Sequence, residues 1–275
     1  MRFEEKKVLE ILKSRRGFVS CTEIANELGI SKALVSRTIS NLRKMGFIIE
    51  THPRYGYRIL EVDDLSLLSK YPPEIDRSIS VHYVRKCSST QDVAAMLAEE
   101  GAEEGTVVVA EEMDRGRGRM GRSWVAPPGG LWFTMILKPK KVEYLHALSL
   151  CMGVAVSRAI YTITEVETRL KWPNDIVVHD RKLGGILVEA KLEADRVEYV
   201  LVGVGINVNN ELPETLRSSA ITLREILGHI VPRIPLFRAC IANMLQYYDL
   251  LCYGRLDKVL MEWRRLSCTL GRRVR

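Results

Sequence analysis

A chain of 275 residues that is 47% hydrophobic has room for one large domain, or a large one with a small companion, and buries a real core. The segment Met1-Arg-Phe-Glu-Glu-Lys-Lys carries acids where a secretory leader needs an apolar run, and apolar stretches such as 147–156 and 199–208 fall short of the ~18 residues that span a bilayer, so neither export nor a membrane is expected. The cysteines (Cys21, Cys87, Cys151, Cys240, Cys252, Cys268) are scattered, with no Cys-x-x-Cys pair and no histidine at ligand spacing; this argues against structural zinc or a disulfide framework and for reduced thiols in a cytoplasm.

The net charge of +7 is unevenly placed. Residues 1–60 hold 12 Lys/Arg against 6 Asp/Glu, and the other 215 hold 29 against 28. Such an asymmetry fits a nucleic-acid-binding module or a solvated basic surface equally well. The pattern is more specific. Val8, Ile11 and Leu12 share one helical face; Ser20-Cys-Thr-Glu23 is a capping box opening a second helix that buries Ile24 and Leu28; Gly29 ends it. A third helix, capped by Ser31 and closed by Gly46, buries Val35, Ile39 and Leu42. Segments 47–50 and 55–60 alternate as two short strands around Thr51-His-Pro-Arg54. Helix, glycine turn, helix and hairpin resemble the winged helix-turn-helix of transcription regulators over all of 1–60. Lys32, Ala33, Ser36, Arg37 and Ser40 lie opposite the buried stripe, where a recognition helix meets base edges, and Arg54 on the wing is placed for phosphate. Winged helices also serve protein contacts.

Residues 61–77, with a short leucine-rich helix and Pro72-Pro73, read as a linker. From 78 to 264 short strands (79–84, 106–110, 131–137, 167–171, 176–179, 183–192, 197–208) interleave with helices at 89–100 and 145–163. Hairpins with segregated helices predict an α+β domain with a mixed sheet.

Four segments of this domain carry chemistry. In Glu111-Glu-Met-Asp-Arg-Gly-Arg-Gly-Arg-Met-Gly-Arg-Ser-Trp124, four arginines alternate with three glycines after a strand; glycine permits close backbone approach and arginine donates to phosphate or carboxylate. Alone, this reads equally as a basic loop or an RNA-binding patch. Lys171-Trp-Pro-Asn-Asp175 sets a cation, an amide and a carboxylate together at a strand end, and Arg181-Lys-Leu-Gly-Gly185 puts Lys182 beside two residues without side chains. Gly203-Val-Gly-Ile-Asn-Val-Asn209 is a strand ending on Asn207; its glycines could mark a close sheet crossing, and no Rossmann fingerprint follows.

Together and in this order, the four segments resemble the biotin–protein ligase family from about Ser88 to Asn209, in its bifunctional form with an N-terminal repressor domain. The resemblance implies a class II synthetase-like catalytic domain that forms biotinyl-5′-AMP from biotin and Mg-ATP, then gives the biotinyl group to a lysine of a biotin carboxyl carrier protein. It implies that Lys182 holds the biotin carboxylate and later the phosphate linkage, and that Arg117, Gly118 and Arg119 wrap carboxylate and α-phosphate. Trp124 would be a platform for adenine and Asn207 a reader of its edge. Ser89 and Thr90 would bind the ureido ring, with Gln91 and Met113 beside them. Lys171 and Asp175 would orient phosphate, metal or the incoming amine, and Gly184 and Gly185 would line the site beside Lys182. No protein metal ligand is expected, Mg²⁺ coming with ATP. Operator DNA and a homodimer complete the implied partners. The chain departs from the family at Gln91, where Asn is usual, and at Met113, where Gln is usual. It also stops at Cys268–Arg275, where 265–275 looks like the opening of a small C-terminal β-domain of which the rest is missing. Two other readings stay open: a biotin-sensing repressor with little transfer activity, and a lipoyl or octanoyl transferase of the same fold.

Overall fold

The computed structural model describes residues 2–15, 17–44, 47–60, 63–70, 72–73, 75–139, 145–193 and 196–271. Helix α1 (Phe3–Ser14) presents Val8, Leu9, Ile11 and Leu12 to one core. The capping box closes as its sequence requires: Ser20 Oγ accepts from Glu23 N (3.1 Å), Glu23 Oε2 accepts from Ser20 N (2.7 Å), and α2 (Cys21–Leu28) follows. Gly29 turns the chain at φ +65°, a conformation that suits a residue without Cβ. Ser31 Oγ then accepts from Leu34 N and starts α3 (Lys32–Lys44). Gly46, read as the stop of that helix, lies outside the described residues. Strands β1 (Ile49–His52) and β2 (Gly56–Ile59) form the wing, and Arg43 ties it to α3 by donating to Ile49 O and Thr51 Oγ1. Val8, Leu12, Ile24, Val35, Ile39 and Leu42 close this core.

Segment 61–77 is more than the linker its prolines predict. Leu65 and Leu68, around α4 (Leu67–Lys70), are fully buried in the core of the following unit, and Asp63 is bonded to Arg233. Burying the two leucines removes apolar surface from water and straps the segment onto the larger unit.

That unit is built on an eight-stranded mixed sheet: β3 (Ser80–Cys87), β4 (Thr106–Arg117), β5 (Ser123–Ala126), β6 (Leu131–Leu137), β7 (Arg169–Lys171), β8 (Asp175–Val178), β9 (Arg181–Glu193) and β10 (Arg196–Ile206). Their order is β3-β4-β6-β10-β9-β8-β7, with β5 folded back on β4; β3 and β4 are parallel and the other pairs antiparallel. One face carries α6 (Leu145–Thr164), α8 (Arg233–Cys252) and α9 (Leu256–Leu266), with Phe133, Met152, Val202 and Phe237 in its core. The other face carries α5 (Thr90–Glu99), packed through Ala94 and Ala98 on Val108, Ile136 and Leu201. A short α7 (Leu223–Leu227) connects β10 to α8.

Two expectations need correction. The strand read at 106–110 continues to Arg117, so the arginine–glycine segment is largely a hairpin rather than a loop: Gly116 pairs Trp124 and Arg117 pairs Ser123. Glycine permits that pairing, since a Cβ on Gly116 would stand 2.4 Å from Trp124 O. At the C-terminal end, Ser267–Thr269 dock on β7: Ser267 bridges Leu170, and Thr269 Oγ1 accepts from Trp172 N. Residues 272–275 lie outside the described residues, as do 194–195, which fall between β9 and β10 in the chain. Lastly, α6 is long and apolar enough to cross a membrane, but 61% of its apolar window is buried in the fold, as in a core helix.

Candidate active site

Strand alternation makes the floor of the site. Along β10, Val200, Val202, Val204 and Ile206 point into the helical core, so Leu201, Gly203 and Gly205 face the α5 side. Gly205 pairs directly with Gly185 of β9, leaving two adjacent strands bare. The indole of Trp124 fills that space: a Cβ at Gly205 would lie 2.8 Å from two indole carbons, and one at Gly185 would lie 3.6 Å from a third. Trp132 meets Trp124 edge-on at 5.9 Å and fixes its tilt. Gly203 does the same for Gln91, whose amide carbon would be 3.1 Å from an added Cβ.

Around this floor lies a cavity of about 520 Å³. Ser89, Thr90 and Gln91 enter at the start of α5, Met113 and Arg117 from β4, and Gly118, Arg119 and Arg122 from the turn before β5. Lys171 and Asp175 are opposed at the base of the β7–β8 hairpin, whose Trp172–Pro173 peptide is cis. Asn174 clips that hairpin to β9, donating from Nδ2 to Ile186 O (2.8 Å) and accepting Ile186 N on its own carbonyl (3.0 Å). Trp172 and Met120 stand exposed at the rim.

The charges favour an anion. Arg117, Arg119, Arg122, Lys171 and Lys182 line the cavity, with Asp175 the one carboxylate among its described lining. Lys182 Nζ contacts Asp175 Oδ1 at 2.7 Å and sits 5.2 Å from the Trp124 ring centre. Arg117 is held between Asp92 Oδ1 (2.6 Å) and Glu189 Oε2 (3.2 Å). Burial pushes the Cys87 thiol, one strand away, up to about 11, so it stays protonated at neutral pH and is a poor nucleophile.

The structure thus gathers Ser89, Thr90, Gln91, Met113, Arg117, Gly118, Arg119, Trp124, Lys171, Asp175, Lys182 and Gly185 around one cavity. Asn207 and Gly184 are outside it. Asn207 is buried with its amide spent on Lys182 O and Asn210, which removes it as a ready reader of a base edge. Gly184 serves the sheet, because a Cβ there would be 2.7 Å from Gly205 O. The sequence reading did not single out Glu189 and Asp92, which hold Arg117, or Thr134, whose hydroxyl donates to Thr90 Oγ1 (2.8 Å). These positions lie on strand faces or helix turns without a local motif; only the period-2 phase of β9, with Glu189 on the same face as Gly185, could have pointed to one of them.

Gly205→Ala should therefore expel the indole. The expected result is an altered Trp124 fluorescence, read against Trp124→Phe, and a stability loss of about 1–3 kcal/mol from overpacking. An unchanged emission spectrum would mean that the floor is not what seats Trp124.

On the winged helix, Lys32, Ala33, Ser36, Arg37 and Ser40 form a strip of exposed side chains along α3, with Ser36 Oγ 3.3 Å from Tyr57 Oη of the wing. Arg54 is exposed at the wing tip, its guanidinium 5.9 Å from the Tyr55 ring centre.

Residues 83–207 match the biotin/lipoate A/B protein ligase family and residues 4–58 match an HTH domain. The bifunctional ligase/repressor BirA of Bacillus subtilis is 33% identical over the whole chain and 88% of its own length. The Escherichia coli protein of that name is 29% identical over 94% of this chain and 81% of its own. Among solved structures, the biotin protein ligase of Aquifex aeolicus in complex with biotin and ATP superposes with a TM-score of 0.63 at 34% identity, covering 70% of this chain and 79% of that one.

Proposed function

The chain belongs to the biotin/lipoate A/B protein ligase family, with the architecture of its bifunctional ligase/repressor members, and from that premise we infer that it is an ATP-dependent biotin–protein ligase that also represses transcription by binding DNA. The observation that carries the ligase half is the cationic cavity over a glycine floor, with Lys182, Arg117 and Arg119 around one space.

Two anions, a carboxylate and a triphosphate, must meet there, and fixed cations lower the energy of bringing them together. A biotin carboxylate oxygen attacks the α-phosphorus of ATP, the bond to the β-phosphate oxygen breaks, and pyrophosphate leaves. A lysine amine of the carrier protein then attacks the acyl carbon, loses a proton, and AMP departs with the bonding pair. Lys182 neutralises the carboxylate and then the acyl-phosphate linkage. Arg119 and Arg122 are available to the phosphates, and Arg117 can join by leaving Asp92 and Glu189. Trp124 offers its face to adenine. Mg²⁺ would enter with ATP and offset phosphate charge, with Asp175 and Lys171 orienting that end. No side chain needs to become covalently attached. The domain limits 1–60, 61–77, 78–264 and 265–275 and a cytoplasmic location belong to the same reading.

Incubation with biotin, Mg-ATP and an apo carrier domain, followed by mass spectrometry, tests it. Both biotinyl-5′-AMP and biotinylated carrier are expected. Adenylate alone would instead indicate a biotin-sensing repressor, and transfer of only a lipoyl group would indicate a lipoyl transferase.

For the regulatory half, a single winged helix contributes mainly phosphate contacts, and binding of that kind has a Kd of ~10⁻⁴–10⁻⁶ M at physiological salt. Specificity calls for a homodimer reading two half-sites of an operator. Fluorescence anisotropy should show tighter operator binding with biotinyl-5′-AMP than without it. Arg37→Ala should weaken the operator more than random DNA, and Arg54→Ala should weaken both alike. Equal affinity in both ligand states and for both sequences would leave only the ligase.

A further inference from the structure

The inner end of the cavity contains a hydrogen-bonding set whose orientation is fixed from outside. Gln91 is 3% exposed, and among the described residues its Oε1, which lies over Gly203, has no partner. Its other amide atom, Nε2, donates to Glu189 Oε2 at 3.0 Å. Buried polar atoms are nearly always paired, so an orphan acceptor beside a binding cavity marks a place for a donor. The two ends of a glutamine amide are almost the same shape, and only the partner decides which end faces where. An ionised carboxylate accepts and does not donate, so Glu189 selects the NH₂ end and turns the oxygen the other way. Glu189 is not among the residues lining the cavity and acts through Gln91.

The neighbours complete the pattern. Ser89 Oγ accepts from Gln91 N (3.3 Å), Thr90 Oγ1 accepts from the Thr134 hydroxyl (2.8 Å), and Met113 Sδ accepts from Thr90 N (3.2 Å). Among the described residues both hydroxyls accept, and each keeps its own proton to give. Two donors beside one acceptor match a cyclic urea, which offers a carbonyl oxygen next to an N–H. A dithiolane ring or an alkyl chain offers neither group and would leave all three protein atoms unpaired.

We propose that Glu189 is a positioning residue for substrate choice: by holding the Gln91 amide with its oxygen inward, it makes the pocket demand an N–H donor and so favours a ureido substrate over a lipoyl or octanoyl one. This rests on the ligase reading above. It assigns the N–H contact to Gln91, with Met113 occupied by the backbone.

Adenylate formation is measured at varied biotin and varied ATP for Glu189→Leu, Glu189→Gln, Gln91→Leu and the Glu189→Leu/Gln91→Leu double variant. Glu189→Leu and Gln91→Leu should each raise the KM for biotin about 10-fold, the size of one lost buried hydrogen bond. Glu189→Gln should fall between wild type and Glu189→Leu, because a carboxamide can still present an oxygen. The KM for ATP and kcat should move less than about 2-fold, and the double variant should be no worse than Gln91→Leu alone. Discrimination between biotin and lipoate should narrow with the same ordering. Gly203→Ala, whose methyl would press on the Gln91 amide from below, is the independent check should a Glu189 variant fold poorly, and it should show the same rise in biotin KM. An active wild type in which Glu189→Leu adds its full effect to Gln91→Leu, or changes the KM for ATP instead, overturns the inference and points to action through Arg117. A wild type that makes no adenylate from biotin overturns the ligase reading and this inference with it.

Discussion

Lys182→Ala is expected to lower adenylate formation by at least ~10–100-fold while leaving the melting temperature nearly unchanged. The rate effect follows from the chemistry of the cavity. Lys182 is the cation set against the Trp124 face and the bare Gly185, and a charge-assisted hydrogen bond is worth about 1.5–3 kcal/mol. Removing it also unmasks Asp175, whose carboxylate would then repel the arriving biotin and phosphate. Lys182→Ala combined with Asp175→Asn should accordingly recover part of the loss in biotin affinity, although not the rate that depends on the cation. The small stability effect follows from exposure. The Lys182 side chain is 36% exposed, its pair with Asp175 is open to solvent, and such pairs contribute about 0–1 kcal/mol. Its backbone bonds, from Lys182 N to Ser219 O and from Ile221 N to Lys182 O, survive the substitution. Pyrophosphate release at saturating ATP is the readout. A Lys182→Ala protein with wild-type turnover would remove the lysine from the mechanism and leave the arginines to carry it.

Lys182 was legible in the sequence because it sits in a compact motif, and the same holds for much of the molecule. Ser20, Glu23 and Gly29 define α2 through interactions spanning a few residues, so local chemistry suffices. The cavity residues on the Arg-Gly hairpin and on the β7–β8 hairpin are likewise contiguous in the chain. What was not legible depends on partners far away in sequence. The helices α8 and α9 follow no capping signal: neither Pro232 nor Arg255 makes a side-chain cap, and their placement is decided by packing on α6. Strand β4 runs on through the arginines because β5 folds back to pair with it, against a composition that reads as loop. Asn207 went the other way. It ends a strand beside the site in sequence, yet β10 has by then turned its side chain toward Asn210 and Lys182 O. Glu189 acquires meaning only when α5, ninety-eight residues earlier, brings Gln91 to it.

Arg233 lies outside every motif, and its loss should have the largest effect on stability. Its guanidinium is almost wholly enclosed, at 4% side-chain exposure, and every N–H is used. Nε donates to the Asp63 carboxylate (2.8 Å), one terminal nitrogen to Glu111 Oε1 (2.8 Å) and Gly130 O (2.9 Å), and the other to Asp63 O (3.0 Å) and Glu111 Oε2 (3.2 Å). Burial opposes the charge, but the hydrogen bonds and charges of Glu111 and Asp63 outweigh it and hold the group above its ordinary pKa. This one side chain therefore joins the strap that follows the winged helix, through Asp63, to β4 just before the arginine–glycine hairpin, through Glu111. Arg233→Met fills a similar space without donors and strands two carboxylates against each other. Breaking a buried pair from one side costs about 3–5 kcal/mol, which in a protein of this size lowers the melting temperature by roughly 6–20 °C. Adding Asp63→Asn and Glu111→Gln to Arg233→Met should restore part of that loss, because the stranded charges rather than the missing contacts make up most of it. Thermal unfolding of the three proteins decides between these terms. A shift under about 2 °C for Arg233→Met would show that the strap holds through Leu65 and Leu68 alone, and a triple variant no better than the single one would assign the loss to packing rather than charge.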